Sequence, residues 1–228
     1  MDLKDKVVII TGGSKGLGLS LAKKFIRAGS KVIIASRDEA ELKKVAEQIG
    51  AISQFVDVTD ESSVQALADF VVKKFGRIDV WVNNAGIWLP HGPIEDMDLK
   101  RVHDMLEVNL FGTIYGSKYA LLQMKKQKGG TIVNILSTSA LTGRPFSSGY
   151  CASKYAATGF TKSLRLEVES DNIMVVAAYP GGMQTHFFDE QKPENYDEYM
   201  SPDEVAEKIV ANLQSNQLEL EQEIRRQK

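Results

Sequence analysis

The sequence predicts a doubly wound α/β fold, in which a parallel sheet of about seven strands has helices on both faces. Three observations support this prediction. Short apolar runs alternate along the chain with stretches whose apolar residues recur at helical spacing. The apolar runs are continuous, as is typical of parallel strands that are buried on both faces. No linker, tandem repeat or low-complexity segment divides the chain, so we predict one domain over residues 1–228.

The first half of the chain is predicted to alternate between strands and helices. Val7-Val8-Ile9-Ile10 is a β-branched run and therefore favours a strand. Leu17, Leu21 and Phe25 then share one face of a predicted helix. The further predicted strands cover residues 32–35, 55–56 and 80–82, and the further predicted helices cover residues 39–49 and 64–75.

The second half continues the alternation with longer helices. A helix is predicted over about residues 100–126, and Gly129-Gly130 ends it. A strand over 131–136, a helix over 150–168 and a strand over 174–178 follow. Ser201 can cap a last helix that has Pro202 in its first turn. The segment 217–224 can add one more short strand.

Composition narrows the class of protein. Apolar residues make up 43% of the chain and charged residues 25%, which is ordinary for a globular protein. The net charge of −2 argues against nucleic acid as a partner. The single cysteine, Cys151, excludes an internal disulfide and a cysteine-rich zinc site, and it favours a reducing compartment. Because no signal-peptide pattern and no long apolar run is present, we predict a cytoplasmic protein without a membrane partner.

A glycine-rich turn lies between the first strand and the first helix. It reads Thr11-Gly12-Gly13-Ser14-Lys15-Gly16-Leu17-Gly18. Gly12 allows a tight exit from the strand, Gly16 lets the backbone approach a pyrophosphate, and Gly18 lets helix and sheet pack closely. The N-terminus of the helix offers N–H groups to the anion. The predicted contacts are Gly12, Ser14, Lys15, Gly16, Leu17 and Gly18, and the alternative is an ordinary βα turn.

Further motifs follow this turn in a fixed order. They are Asn83-Asn84-Ala85-Gly86 after the fourth strand, Asn109 in the long helix, Ser137 at the end of the fifth strand, Tyr150-x-x-x-Lys154 thirteen residues later, and Pro180-Gly181-x-x-x-Thr185. With these motifs the chain resembles the short-chain dehydrogenase/reductase family over nearly its whole length. It departs from the family pattern in having Leu136 before Ser137, where many members have a second serine, and in a short C-terminal segment 217–228.

The resemblance implies a Rossmann-like fold with a nucleotide-binding half at about 1–90 and a catalytic and substrate half at about 91–228. It also implies a homodimer or homotetramer that associates through the two long helices. The family's catalytic residues match Asn109, Ser137, Tyr150 and Lys154. In the family the asparagine holds a water that connects the lysine to solvent. The alternative for Asn109 is an interhelical hydrogen bond.

The chemistry of Tyr150 and Lys154 agrees with that assignment. Residues four apart on a helix share one face, and a nearby ammonium lowers the pKa of a phenol. Tyr150 is therefore predicted to be the general acid in reduction and the general base in oxidation. Ser137 can donate to a carbonyl oxygen as negative charge develops there. The alternatives are a solvated Tyr–Lys pair and a serine that only caps a turn.

The end of the second strand predicts NADP(H) as the cofactor. Ser36 is neutral, and Arg37 and Lys15 can bind a 2′-phosphate, where an NAD enzyme usually has a carboxylate. Asp38 is the discordant residue, although an acid there can start the next helix. The alternative is that Arg37 and Lys15 are solvated surface charges. By resemblance, the remaining cofactor contacts are Asp57, Val58, Asn84, Ala85, Gly86, Tyr150, Lys154, Pro180, Gly181 and Thr185, whereas Asn83 is expected to be structural.

The substrate is expected to be a small or medium carbonyl compound or alcohol. Its predicted contacts are Trp88, Ser137, Ser139 and Tyr150, with His186, Phe187 and Phe188 as a lid and no metal. The main hypothesis is an NADP(H)-dependent carbonyl reductase or alcohol dehydrogenase. The alternatives are a 3-oxoacyl thioester reductase, for which Arg144 is one candidate contact of an acyl carrier protein, and a non-catalytic NADP-binding sensor or scaffold.

Overall fold

Within residues 1–226, which a computed structural model of the protein describes, seven parallel strands form one sheet. The strands are β1 (Val7–Thr11), β2 (Lys31–Ser36), β3 (Ile52–Phe55), β4 (Val80–Asn83), β5 (Gly130–Ile135), β6 (Ile173–Pro180) and β7 (Glu221–Ile224). Their order in the sheet is β3-β2-β1-β4-β5-β6-β7. The doubly wound parallel sheet predicted from the sequence is therefore confirmed.

Helices cover both faces of the sheet. They are α1 (Gly16–Arg27), α2 (Glu39–Ile49), α3 (Glu61–Phe75), α4 (Leu99–Leu106), α5 (Gly112–Gln127), α6 (Ser148–Glu167) and α7 (Pro202–Gln214). Val8 and Ile10 of β1 pack in the same cluster as Phe25 of α1 and residues of α2 and α7. Val7 and Ile9 point to the other face and pack with residues of α3, α5 and α6. Because both faces of β1 are buried, the strand reads as a continuous apolar run.

The helix predicted over about 100–126 has one irregular turn. Between α4 and α5, residues Glu107–Phe111 form a π-helical turn, and all three segments follow each other without a break. Such turns are rare and occur frequently at functional sites. This one contains Asn109. The apolar periodicity of the sequence does not reveal this turn, because the residues before it and the residues after it each keep ordinary helical spacing.

Three predicted boundaries were wrong by a few residues. The third strand is Ile52–Phe55 and not 55–56, because β3 is an edge strand with a partly exposed, weakly apolar sequence. Helix α3 starts at Glu61 and not at 64, since Asp60 caps it through the N–H of Ser62. The last strand is confined to Glu221–Ile224. The helix after Ser201 begins as predicted, with the Ser201 side chain accepting from the N–H of Glu204.

The topology places a crevice at the carboxyl ends of the strands. The chain runs from β1 outward to β3 and then returns to the other side of β1 with β4. Open α/β sheets bind ligands at such a switch point. The carboxyl ends of β1, β4, β5 and β6 carry the glycine turn, the loop 83–86, Ser137 and Pro180-Gly181, respectively. None of the helices described in residues 1–226 is both long and apolar enough to span a membrane.

Candidate active site

A cleft with a volume of about 980 Å³ lies along the carboxyl ends of the strands. The glycine turn forms one end, Tyr150 lies in the wall, and the segment 182–200, here termed the lid, contributes to the other end. The predicted site residues that line it are Gly12, Ser14, Lys15, Gly16, Leu17, Gly18, Ser36, Arg37, Val58, Asn84, Ala85, Gly86, Trp88, Ser137, Ser139, Tyr150, Lys154, Pro180, Gly181 and Thr185. Asp57 and Asn109 are not among the residues lining the cleft.

The glycine turn has the backbone that an anion-binding turn needs. Gly12 and Gly16 have φ of 65° and 54°, in the left-handed region that favours glycine. A Cβ on Gly18 would lie 2.2 Å from the carbonyl oxygen of Gly12, so a larger residue does not fit there. No side chain caps the N-terminus of α1 at Lys15. The first N–H groups of α1 therefore remain available to a phosphate.

The loop after β4 is tied to the glycine turn by Thr11. The Thr11 hydroxyl oxygen accepts from the backbone N–H groups of Asn84 and Ala85, each at 3.1 Å. The Asn84 side chain donates to the carbonyl oxygens of Thr11 and Gly12 at 2.9 and 3.1 Å. Sequence analysis did not single out Thr11, although a hydroxyl residue at a strand end directly before the glycine turn is a signal that it could have used.

Asn83 is structural, as expected. Its Oδ1 accepts from the indole N–H of Trp81 at 2.7 Å, and its amide donates to Ser117 and Asn134 at 3.0 and 2.8 Å. All four residues are buried. This network joins β4 to β5 and α5 directly below the cleft, and it satisfies polar groups that have no access to water.

The end of the cleft beyond β2 combines a hydroxyl that is unpaired within the described part of the chain with two cationic side chains. The Ser36 hydroxyl oxygen is buried and has no hydrogen-bond partner among residues 1–226. A buried polar atom without a partner is costly, so a ligand group that bonds to it is accommodated well here. Arg37 and Lys15 line the same end with exposed side chains. The Asp38 carboxylate caps α2 by accepting from the N–H of Glu41 at 3.1 Å, so it starts the helix as anticipated.

Asp57 closes a turn beside the cleft without lining it. Its Oδ1 accepts from the N–H and the hydroxyl of Thr59, at 3.0 and 2.8 Å, which closes a turn after β3. The neighbouring Val56 and Val58 line the cleft in its place. Sequence analysis missed Val56, since an apolar residue at the end of a buried strand has no distinguishing signal.

Ser137, Tyr150 and Lys154 come together at the end of β5. Ser137 is buried, and its hydroxyl oxygen accepts from the N–H of Ser139 at 3.1 Å. Tyr150 is half-buried, and the side chain of Ser137 lies near enough to its hydroxyl to act on its pKa. Lys154 is buried, and its ammonium donates to the carbonyl oxygen of Ile135 at 3.1 Å and lies 6.0 Å from the centre of the Tyr150 ring.

Burial perturbs both titratable groups of this trio. Desolvation raises the pKa of Tyr150 to about 12, although the neighbouring Ser137 side chain opposes this rise. Desolvation lowers the pKa of Lys154 to about 8. The sequence had suggested that the ammonium of Lys154 would lower the pKa of Tyr150. In this geometry burial dominates, and Lys154 bonds to a backbone carbonyl instead. Such strongly shifted groups in a cleft are typical of functional sites.

Asn109 lies behind the cleft and holds its wall. The Oδ1 of Asn109 accepts from the N–H of Ile87, and its amide donates to the carbonyl of Ile87 and to the hydroxyl of Ser153, at 2.9, 2.9 and 3.1 Å. Both amide hydrogens are therefore used, and one lone pair of the oxygen remains. The interhelical hydrogen bond, which was the alternative for this residue, is present as the contact to α6.

The far end of the cleft is aromatic. Trp88 packs edge-to-face on His91 and on Phe188, with ring centres 5.2 and 5.1 Å apart, and Phe187 packs on Tyr150 at 6.1 Å. Phe187 and Phe188 belong to the lid. Arg101 of α4 and Glu190 of the lid form a bidentate ion pair, in which the two guanidinium nitrogens lie 2.9 and 2.6 Å from the two carboxylate oxygens. This pair connects the lid to α4. Sequence analysis did not find this pair, because its members are 89 residues apart.

Comparison with known proteins adds an independent line of information. A protein-family model described as short chain dehydrogenase matches residues 6–196. An uncharacterised oxidoreductase of Staphylococcus saprophyticus is 34% identical over 221 residues, which are 91% of this chain and 89% of that protein.

Two solved structures are similar over nearly the whole chain. A 3-ketoacyl-(acyl-carrier-protein) reductase from Brucella melitensis, complexed with NADH, matches with a TM-score of 0.90 and 29% identity over 97% of each chain. An alcohol dehydrogenase from the archaeon Thermococcus sibiricus, complexed with 5-hydroxy-NADP, matches with a TM-score of 0.88 and 26% identity, covering 99% of this chain and 100% of that one.

Proposed function

The chain belongs to the short-chain dehydrogenase/reductase family, and from that premise we propose that it is an NADP(H)-dependent oxidoreductase acting on a carbonyl compound or the corresponding secondary alcohol. The observation that supports this proposal most directly is the trio at the end of β5. Tyr150 lines the cleft between the phosphate-binding turn and the aromatic end, near Ser137 and one helical turn from buried Lys154.

The proposed mechanism assigns one proton transfer to Tyr150. A bound nicotinamide supplies or receives the hydride. In reduction the Tyr150 hydroxyl gives its proton to the carbonyl oxygen while the carbonyl carbon gains the hydride, and the product is an alcohol. In oxidation Tyr150 takes that proton back. The Ser137 hydroxyl donates to the same oxygen and stabilises the charge that develops on it.

Lys154 and Asn109 support this step in the proposal. A phenolate forms on Tyr150 when its proton leaves, and the positive charge of Lys154 one turn away stabilises it. With its pKa lowered to about 8, Lys154 is still mostly protonated at neutral pH and supplies that charge. We assign Lys154 a second contact, to the ribose of the nicotinamide half. Asn109 is a positioning residue that fixes the backbone of Ile87 beside the cofactor cradle.

The preference for NADP(H) is supported by the end of β2. Arg37 and Lys15 provide two cations at the cleft, and the Ser36 hydroxyl is a bonding partner without a protein contact among the residues described. The carboxylate of Asp38 already accepts a helix-capping bond, which reduces its availability to a ribose hydroxyl. The two solved relatives hold NADH and an NADP derivative, so they support a nicotinamide cofactor without favouring one form.

A second candidate is a 3-oxoacyl thioester reductase. The similarity to the Brucella melitensis reductase favours it. A third hypothesis, a non-catalytic NADP-binding sensor or scaffold, is less well supported, because Ser137, Tyr150 and Lys154 are all present and assembled at one point of the cleft.

Cofactor binding is the first test. Fluorescence titration of the purified protein with NADPH and with NADH is expected to show tighter binding of NADPH. Equal or tighter binding of NADH would refute the assignment of Arg37 and Lys15. Binding of neither would contradict the enzyme proposal.

Turnover is the second test. NADPH oxidation is then followed with 2,3-butanedione and with a 3-oxoacyl thioester as alternative substrates. Tyr150→Phe should lower kcat by roughly 10²- to 10⁴-fold, the usual contribution of a general acid, and weaken NADPH binding far less. Unaltered turnover by that variant would refute the role of Tyr150.

A further inference from the structure

We propose that Arg144 binds a carboxylate of the substrate, so that the carbonyl compound reduced by this protein is an oxo acid with an apolar or aromatic body. This inference names the substrate class of the same cleft and rests on the proposed function.

Arg144 is held at the far, aromatic end of the cleft, close to Ser137. It lies between β5 and α6 and lines the cleft. Its Nη2 donates to the hydroxyl oxygen of Thr138 at 3.2 Å. Thr138 is 2% exposed and directly follows Ser137. One partly buried hydrogen bond thus holds the guanidinium near the serine that is proposed to bond the substrate oxygen, while the rest of the side chain is open to the cleft and to solvent.

The charge of Arg144 has no carboxylate partner within residues 1–226. The titratable groups that feel it are His91 in the loop after β4, Tyr150 of α6 and Tyr199 of the lid, and its positive charge acts to lower the pKa of each. None of these groups is an acid that is ionised at neutral pH. A cation therefore faces the cleft without a counter-ion from the described part of the chain.

The other two arginines at this end of the cleft are neutralised. Arg225 forms an ion pair with Glu223, and Arg226 forms one with Glu198 at 2.8 Å. Both line the cleft together with Arg144. The far end of the cleft thus has one uncompensated positive charge, which matches a ligand with a single negative charge.

A carboxylate is the ligand group that fits this arrangement best. A guanidinium presents parallel N–H donors that match the two oxygens of a carboxylate. The surrounding walls are aromatic, since Trp88, Phe187 and Phe188 line the same end. A substrate that combines a carboxylate with an apolar body can satisfy both, whereas a neutral ketone leaves the cation without a partner.

The test compares benzoylformate with its methyl ester as probes. The two compounds share the carbonyl and the aromatic ring and differ in the negative charge. With NADPH, the unaltered protein is expected to show a lower KM for the acid. Arg144→Met should raise the KM for the acid by roughly 10- to 100-fold, as expected for loss of a hydrogen bond to a charged group, and change the KM for the ester little. Arg144→Lys keeps the charge but not the paired donors. Its KM for the acid should therefore lie between those of the unaltered protein and Arg144→Met.

Two controls separate this inference from other effects. The ester measures any effect of Arg144 on Tyr150, because such an effect would alter turnover of both compounds equally. Arg27→Met removes an exposed cation at the end of α1, outside the cleft, and should change neither KM. Equal preference for acid and ester, or equal losses for both in Arg144→Met, would overturn the inference and leave the proposed function intact.

A calorimetric titration decides the inference if the protein binds NADPH but reduces neither probe. That result would contradict the proposed function only if 2,3-butanedione and the 3-oxoacyl thioester were not reduced either. Binding of benzoylformate to the NADPH-bound protein would then support the carboxylate site only if it is lost in Arg144→Met. Absence of binding, or binding that Arg144→Met leaves unchanged, would overturn it.

Discussion

Replacing Lys154 by methionine is expected to stabilise the protein at neutral pH. Lys154 is buried, and its ammonium has a backbone carbonyl as partner but no carboxylate. A buried charge without a counter-ion costs free energy that a methionine of similar length does not. The protein therefore retains a destabilising group at the point where the proposed chemistry takes place.

The lowered pKa of Lys154 determines how large the gain in the free energy of unfolding should be. The fall from 10.5 to about 8 corresponds to about 3 kcal/mol, at 1.36 kcal/mol per pKa unit. Methionine leaves the carbonyl of Ile135 without its donor, which costs about 1 kcal/mol. The net gain in the free energy of unfolding is therefore about 2 kcal/mol at pH 7.

The gain should disappear as the pH rises. Between about 8 and 10.5 the unfolded chain binds a proton at Lys154 that the folded protein does not, so the stability of the unaltered protein rises with pH in this window. Lys154→Met has no such group and lacks this rise. Below pH 8 the difference between the two proteins is constant, and above about 10.5 the variant should be slightly less stable because of the lost hydrogen bond.

Urea denaturation at pH 7, 8.5 and 9.5 measures the effect. Lys23→Met, an exposed lysine on α1, is the matched control and should show no gain at any pH. The reasoning would be refuted if Lys154→Met were less stable at pH 7, or if its gain did not change between pH 7 and 9.5.

Three further outcomes are expected. Asn83→Ala should lower the free energy of unfolding by about 2–4 kcal/mol in urea denaturation, because the indole N–H of Trp81 and other buried groups lose their partners; a loss under 1 kcal/mol would contradict the network. Arg37→Met should weaken NADPH binding by roughly tenfold or more in fluorescence titration and leave NADH binding unchanged, since only NADPH has the 2′-phosphate; equal weakening of both would refute the preference. Light scattering should find a homodimer or homotetramer joined through α5 and α6, where Leu122 and Leu166 are 51% and 73% exposed; a monomer would refute this, and Leu166→Glu should dissociate the assembly.

Local patterns in the sequence were enough to predict the fold class and to recognise the main motifs. The glycine turn could be recognised because backbone constraints at Gly12 and Gly18 act between neighbours in the chain. Tyr150 and Lys154 could be paired because helical spacing alone brings residues four apart onto one face. The parallel sheet followed from the continuous apolar runs, since burial on both faces leaves no polar alternation.

Long-range packing decided the rest of the site. The contacts of Asn109 with Ile87 and Ser153, the bridge from Thr11 to the loop after β4, and the ion pair between Arg101 and Glu190 join segments far apart in sequence. The direction of the Tyr150 pKa shift was mispredicted for the same reason. The sequence shows that an ammonium is four residues away, but the loss of water around the phenol depends on how α6, β5 and the lid pack together. Hydrophobic periodicity reports which face of an element is buried, and only the tertiary structure decides which polar groups meet there and how much water remains between them.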